Sequence, residues 1–148
     1  MIYLDSSSLL KLLWPEPESE AVRASVAAED VVIVSSLAEL ESEVQLKAAW
    51  LAGRYGAARW RRFRGKLAEF HETEPFRFHR LGAPVFDVAL RQHRAGGKTH
   101  CRTLDRLHLA AMEELNIRRL MTNDTNQAKA ARAMGLEVST PGGRLDIS

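Results

Sequence analysis

Residues 31–53 read VVIVSSLAELESEVQLKAAWLAG. The β-branched run Val31-Val32-Ile33-Val34 lacks polar alternation, the pattern of a strand buried on both faces of a parallel sheet. Ser36 follows at once and opens a long helix, with Glu39 three residues on at capping-box spacing and Gly53 as a stop. A buried strand running straight into a helix is one half of a βαβ unit.

Outward from this stretch, the alternation recurs. Ile2 to Leu4 form an apolar strand that ends at Asp5 and the serines Ser6, Ser7 and Ser8. A short helix around Leu9 to Leu13 is broken by Pro15 and Pro17. Ser19 to Ala28 predicts a helix, with Val22 and Val26 four apart. Ala57 to about His71 is helical again, and Pro75 and Pro84 bound an irregular or short-strand segment. A helix near Phe86 to Arg94 ends at Gly96-Gly97. Thr103 to Asn116 is amphipathic, with Leu104, Leu107, Ala111 and Leu115 on one stripe. Arg118 to Thr122 is a strand, Thr125 to Met134 a helix closed by Gly135, and Leu136 to Val138 a last strand. Such alternation implies right-handed crossovers and an α/β class, a central parallel sheet flanked by helices on both faces. Chemistry in such sheets gathers beyond the carboxyl ends of the strands.

Composition narrows the classes. A chain of 148 residues with 45% hydrophobic and 27% charged side chains reads as a single globular domain over 1–148. At this size roughly 70% of the unfolded surface can be buried, so the core needs no staple. The one cysteine, Cys101, excludes a disulfide framework and a multi-cysteine zinc site, and beside His100 it reads as a packed thiol. No apolar run approaches the ~20 residues of a membrane span, and MIYLD carries a charge where a signal peptide needs its apolar stretch. The expectation is a cytoplasmic protein with no membrane partner. Gly96-Gly97 and Gly142-Gly143 lack phosphate-loop spacing and read as turns.

Net charge is only +2, but it is unevenly placed. Between Val44 and Ala68 stand seven basic residues, Lys47, Arg54, Arg59, Arg61, Arg62, Arg64 and Lys66, and no acid. Trp50, Tyr55, Trp60 and Phe63 are interleaved. Basic groups could neutralise phosphates while aromatics stack bases, with Arg59, Arg61 and Arg62 as RNA contacts. The competing expectation is a solvated helix face whose rings pack inward. The apolar cluster Leu9, Leu10, Leu12, Leu13 and Trp14 exceeds what a solvated helix carries. Core packing takes part of it, and a partner surface could take the remainder.

Certain acids stand in unusual places. Asp5 closes the first strand and Asp124 follows the strand that ends at Thr122, so both belong to one rim of the sheet. Each could also be a helix cap, Asp124 with Gln127 three residues on. Glu41 shares its helical spacing with Leu37, Val44 and Ala48 and so lies at the edge of the stripe facing the sheet, where a carboxylate is costly without a positive partner. Glu39 and Glu43 lie on another face near Lys47, although Glu43 stays an alternative to Glu41. Asp105 favours the first turn of its helix through the dipole and shares a face with Leu109 and Met112. His108, one turn on, could orient that carboxylate, but the expectation is that it packs half-buried. Carboxylates meeting at one rim repel unless a cation neutralises them, and an all-oxygen set suits Mg²⁺ or Mn²⁺. Such ions activate water and clamp phosphodiester oxygens.

These residues resemble the PIN-domain proteins of the VapC toxin type. MIYLDSSSLLKLLWPEPES looks like their opening, VVIVSSLAELESEVQLKAA their second acidic motif, RTLDRLHLAAM their third and RRLMTNDTNQAKAARAMGLEV their last, in that order. The resemblance implies a PIN fold and a metal-dependent endoribonuclease leaving a 5′-phosphate, usually a homodimer inhibited by a cognate antitoxin. It places the acids on Asp5, Glu41, Asp105 and Asp124, with Ser7 and Thr122 as small polar neighbours. Two alternatives stand beside it. A haloacid-dehalogenase-type phosphatase also begins with an acid at the end of strand one, but Ser7 occupies the place of its second aspartate and the lysine before its last acids has no counterpart near Asp124. An inactive PIN-like module would bind RNA or a partner without cutting.

Overall fold

The computed structural model describes residues 1–143. The elements run β1 (Ile2–Leu4), α1 (Ser6–Leu13), α2 (Ser19–Ala27), β2 (Val32–Ser35), α3 (Ser36–Leu51), α4 (Ala57–Phe70), β3 (Phe76–His79), α5 (Pro84–Ala95), α6 (Thr103–Glu114), β4 (Arg119–Met121), α7 (Thr125–Ala133) and β5 (Glu137–Ser139). The five strands form one sheet in the order β3-β2-β1-β4-β5, and every neighbouring pair is parallel. The α/β class with helices on both faces is therefore what the sequence predicts.

The period of two along the short strands sorts side chains into two cores. Ile2, Leu4, Val32 and Val34 face Leu9, Leu12 and Leu13 of α1, Val22 and Val26 of α2, and the inner sides of α3 and α4. Tyr3, Ile33 and Leu120 face Val85 and Ala89 of α5, Leu109 to Met112 of α6, and Ala130 and Ala131 of α7. Tyr3 is thus placed, by register alone, on the face where α6 packs.

Several local expectations change. α1 starts at Ser6 rather than Leu9 because Asp5 caps it, accepting from the Ser8 amide at 3.2 Å. α3 is capped by Ser35, which accepts from Ala38 N–H at 3.2 Å, so the Ser36–Glu39 capping box does not form. Glu39 instead pairs with His71 at 3.0 Å. Gly53 and Gly135 do end their helices at φ +75°, a conformation that favours glycine. The buried face of α6 is His108 to Met112, and Leu104 of the predicted stripe is 47% exposed. The α1 cluster is mostly core: Leu9, Leu12 and Leu13 are buried, and Leu10 and Trp14 pack partly against them.

The aromatics of the basic segment turn inward. Tyr55 and Phe63 are buried, and Trp50 stacks on Trp60 with ring centroids 4.0 Å apart. Base stacking on Tyr55 and Phe63 is thereby closed off. Arg59, Arg61 and Arg62 are exposed, Arg59 lying over Tyr55 and Phe63 and Arg62 over Phe63. Among the described residues, no helix is long and apolar enough to cross a membrane.

Leu120 is fully buried on β4, the strand that carries Thr122 to the site. Leu120→Ala is expected to cost about 2–5 kcal/mol through lost burial and a residual cavity. In urea unfolding the midpoint should fall with the slope unchanged.

Candidate active site

β1 connects away toward β2, while β4 connects toward β5 on the other side, so a crevice opens above the carboxyl ends of the adjacent strands β1 and β4. Asp5 stands there, 3% exposed. Its Oδ1 accepts from the Ser7 hydroxyl at 2.7 Å and the Ser8 amide, and its Oδ2 accepts from the Thr122 hydroxyl. Burial pushes the Asp5 carboxyl up from its ordinary value, and these bonds pull it down without cancelling that push. Asn123 N–H donates to Ser7 Oγ at 2.9 Å and Asp124 N–H donates to Thr122 Oγ1 at 3.0 Å. Ser7 and Thr122 thus tie the loop after β4 to the carboxylate that ends β1.

Asp124 caps α7, its Oδ1 accepting from Asn126 and Gln127 N–H at 2.8 and 3.1 Å. The predicted capping box is incomplete, because the Gln127 amide donates to Asp105 O at 3.2 Å instead of returning to Asp124. The second Asp124 oxygen accepts from Arg102 Nη2 at 2.8 Å, and Arg102 Nε donates to Asp105 Oδ2 at 2.9 Å. One guanidinium therefore spans two of the acids.

Glu41 reaches the same cavity from α3 and bonds to Nε2 of His108. Of the three glutamates near it, Glu39 goes to His71 and Glu43 to Arg64, leaving Glu41 as the one that faces the sheet edge. Its sequence rationale needs correction, however. Val44 is 59% exposed and Ala48 is exposed, and the buried stripe of α3 is Ala38, Ser42, Leu46 and Ala49. Glu41 sits one step beside that stripe, half-buried. His108 is 2% exposed and serves Glu41 rather than Asp105, which corrects the half-buried packing expected for it.

Asp5, Glu41, Asp105 and Asp124 all line one cavity of about 670 Å³, together with Ser7, Lys11 and Arg102. Lys11 is engaged by Glu16 and Glu18. Arg59, Arg61 and Arg62 do not line it. Among the described residues, no group of three or more His, Cys, Asp or Glu side chains is arranged to hold a metal ion as it stands. The donor chemistry still fits a hard cation. The acids offer only oxygens, and a cationic guanidinium already lies between two of them. Cys101 is half-buried and burial pushes its thiol up, the state of an inert cysteine. Sequence reasoning did not find Arg102, Tyr3 or Asn123. A tyrosine between isoleucine and leucine in a buried strand was the available signal for Tyr3.

A family model for the PIN domain matches residues 2–133. The sequence is 32% identical over 144 residues to ribonuclease VapC46 of Mycobacterium tuberculosis, covering 95% of this chain and 97% of that protein. Among solved structures, the fold is similar to VapC20 of Mycobacterium tuberculosis, a sarcin–ricin loop cleaving toxin, with a TM-score of 0.69 at 17% identity, covering 88% of this chain and 95% of that one. It is also similar to FitAcB of Neisseria gonorrhoeae, with a TM-score of 0.67 at 20% identity over 95% and 98% of the two chains. The chain belongs to the PIN-domain family.

A carboxyl whose value is raised by folding binds its proton more tightly in the native state, so its contribution lowers stability as pH rises above the ordinary carboxylate range. Asp5→Asn keeps a side chain suited to capping α1. In chelator at pH 7 the variant should melt above the parent, with the gap closing toward pH 4, read by thermal denaturation across a pH series.

Proposed function

We propose that this protein is a divalent-metal-dependent endoribonuclease and the toxin of a toxin–antitoxin pair. The observation that carries the reading is the placement of Asp5, Glu41, Asp105 and Asp124 around one cavity above the switch between β1 and β4. Kinship with ribonuclease VapC46 over nearly the whole chain supports the same reaction class. The likeness to the VapC20 toxin and the four motifs in order support the toxin role.

Asp5, Asp105 and Asp124, with Glu41, would hold Mg²⁺ or Mn²⁺, directly or through water. Such an ion, when bound, lowers the pKa of a water and neutralises charge on the phosphodiester. Ser7 and Thr122 fix both Asp5 oxygens, so the carboxylate presents a set direction to the cavity. Arg102, 58% exposed at its side chain, can leave the acids and meet the phosphate of an incoming strand. Arg59, Arg61 and Arg62 would add salt-dependent affinity for the RNA backbone.

Incubation with labelled RNA tests this directly. Cleavage should need Mg²⁺ or Mn²⁺ and stop with EDTA. Asp5→Asn, Glu41→Gln, Asp105→Asn and Asp124→Asn should each lower it by roughly 100-fold or more, the scale of single groups in a catalytic centre. Glu43→Gln, on the Arg64 side of α3, should cut as the parent does. RNA held equally well in chelator but never cut would favour the inactive binding module.

A homodimer and an antitoxin are the expected protein partners. Leu40, Phe86, Leu90 and Leu104 are 61%, 60%, 48% and 47% exposed, an apolar surface beside the acid cavity that a second copy would cover. Phe86→Glu should shift the sedimenting species from dimer to monomer without lowering the melting temperature. An unchanged dimer would place the interface elsewhere.

A further inference from the structure

A row of buried polar groups runs from the sheet to Glu41. Ser35 Oγ lies 2.7 Å from Tyr3 Oη, Tyr3 Oη lies 2.7 Å from His108 Nδ1, and His108 Nε2 bonds to Glu41 Oε1. Ser35, Tyr3 and His108 are 0%, 0% and 2% exposed, so bulk solvent does not reach them. The row joins β2, β1, α6 and α3, and its three bonds bridge separations of 32, 105 and 67 residues.

The direction of each bond follows from counting protons. Ser35 Oγ accepts from Ala38 N–H, a fixed donor. The Tyr3 phenol has one proton to donate and oxygen lone pairs to accept. If that proton goes to His108 Nδ1, Tyr3 Oη is free to accept from the Ser35 hydroxyl, and Nε2–H points at the carboxylate. Every donor then has an acceptor. If Nδ1 carried the proton instead, Tyr3 would turn its own proton to Ser35. The Ser35 hydroxyl hydrogen would then be left without an acceptor in a buried place, which is costly.

We propose that Ser35 and Tyr3 fix His108 as the Nε2–H tautomer, and that His108 is a positioning residue that aims the Glu41 carboxylate into the acid cavity. Glu41 leaves a mobile three-bond side chain on the rim of α3, and His108 holds it from a buried, edge-on contact with Tyr3, ring centroids 5.7 Å apart. The inference rests on Glu41 being a metal-facing acid. It adds the device that keeps this acid in place, on the pattern by which outer groups orient ligating ones.

Two measurements test it apart from RNA cleavage. Long-range ¹H–¹⁵N correlation on the ¹⁵N-histidine-labelled, metal-free protein should show His108 protonated at Nε2 and unprotonated at Nδ1. Tyr3→Phe should remove that bias. Mn²⁺ titration of the purified protein should then show His108→Leu binding about 10-fold or more weakly, while His108→Gln, which can still donate toward Glu41, recovers most of the affinity. Protonation at Nδ1 in the parent would overturn the inference, as would His108→Leu binding Mn²⁺ as the parent does. A parent that binds Mn²⁺ and shows the predicted tautomer yet cuts no RNA would defeat the nuclease reading and leave this inference standing.

Discussion

The structure is organised around one carboxylate that it buries. Asp5 ends the central strand, and its two oxygens are held by Ser7, Thr122 and the amide of Ser8. A buried anion opposes folding unless such bonds meet it. The same groups that satisfy Asp5 also join the chain end to end. Ser7 accepts from Asn123, Ser8 donates to the Asn123 side chain at 2.7 Å, and Asn123 donates to Pro141 O at 2.8 Å. The first turn of α1, the loop after β4 and the segment after β5 are thus one hydrogen-bonded unit. Satisfying the charge and assembling the crevice are the same set of contacts.

The other acids are held more loosely, and by different means. Asp124 spends one oxygen on capping α7 and offers the other to Arg102. Asp105 is a half-buried acid met by the same guanidinium. The exposed Arg102 guanidinium balances both of these acids. Asp5 has no such partner. Hydroxyls and one amide bond to its oxygens, and burial raises its carboxyl above the ordinary value.

Much of this was legible in the sequence. The element order, the parallel sheet and the rim positions of Asp5 and Asp124 follow from strand-to-helix punctuation, which is local. The misreadings also share a cause. Ser35 and Ser36 are adjacent hydroxyls, and only the backbone decides which one caps α3. The helical spacing that groups Glu41 with Val44 and Ala48 points to an exposed face; Glu41 does line the cavity, one step away from that phase. A helix that buries Ala38, Ser42, Leu46 and Ala49 has small and polar residues on its inner face, so hydropathy locates that face poorly. His108 looked like packing because its partners, Tyr3 and Glu41, are 105 and 67 residues away.

The basic segment shows the same limit from the other side. Arginines alternating with aromatics have the composition of a nucleic-acid surface, yet Trp50 stacks on Trp60 and Tyr55 meets Phe63 edge-on, with Arg64 over Trp60, Arg59 and Arg62 over Phe63, and Arg54 over Trp14. An arginine set over a ring keeps its charge toward solvent while its stem covers apolar surface. Composition therefore fixes only that the outer face of α4 is positive. Whether that charge serves RNA depends on its geometry relative to the acids, and the two lie on different elements: the cavity is built by the ends of β1 and β4 with α3 and α6, while the arginines ride on α4. A strand cut at the cavity would have to extend past α3 to reach them, because none of Arg59, Arg61 and Arg62 lines that cavity.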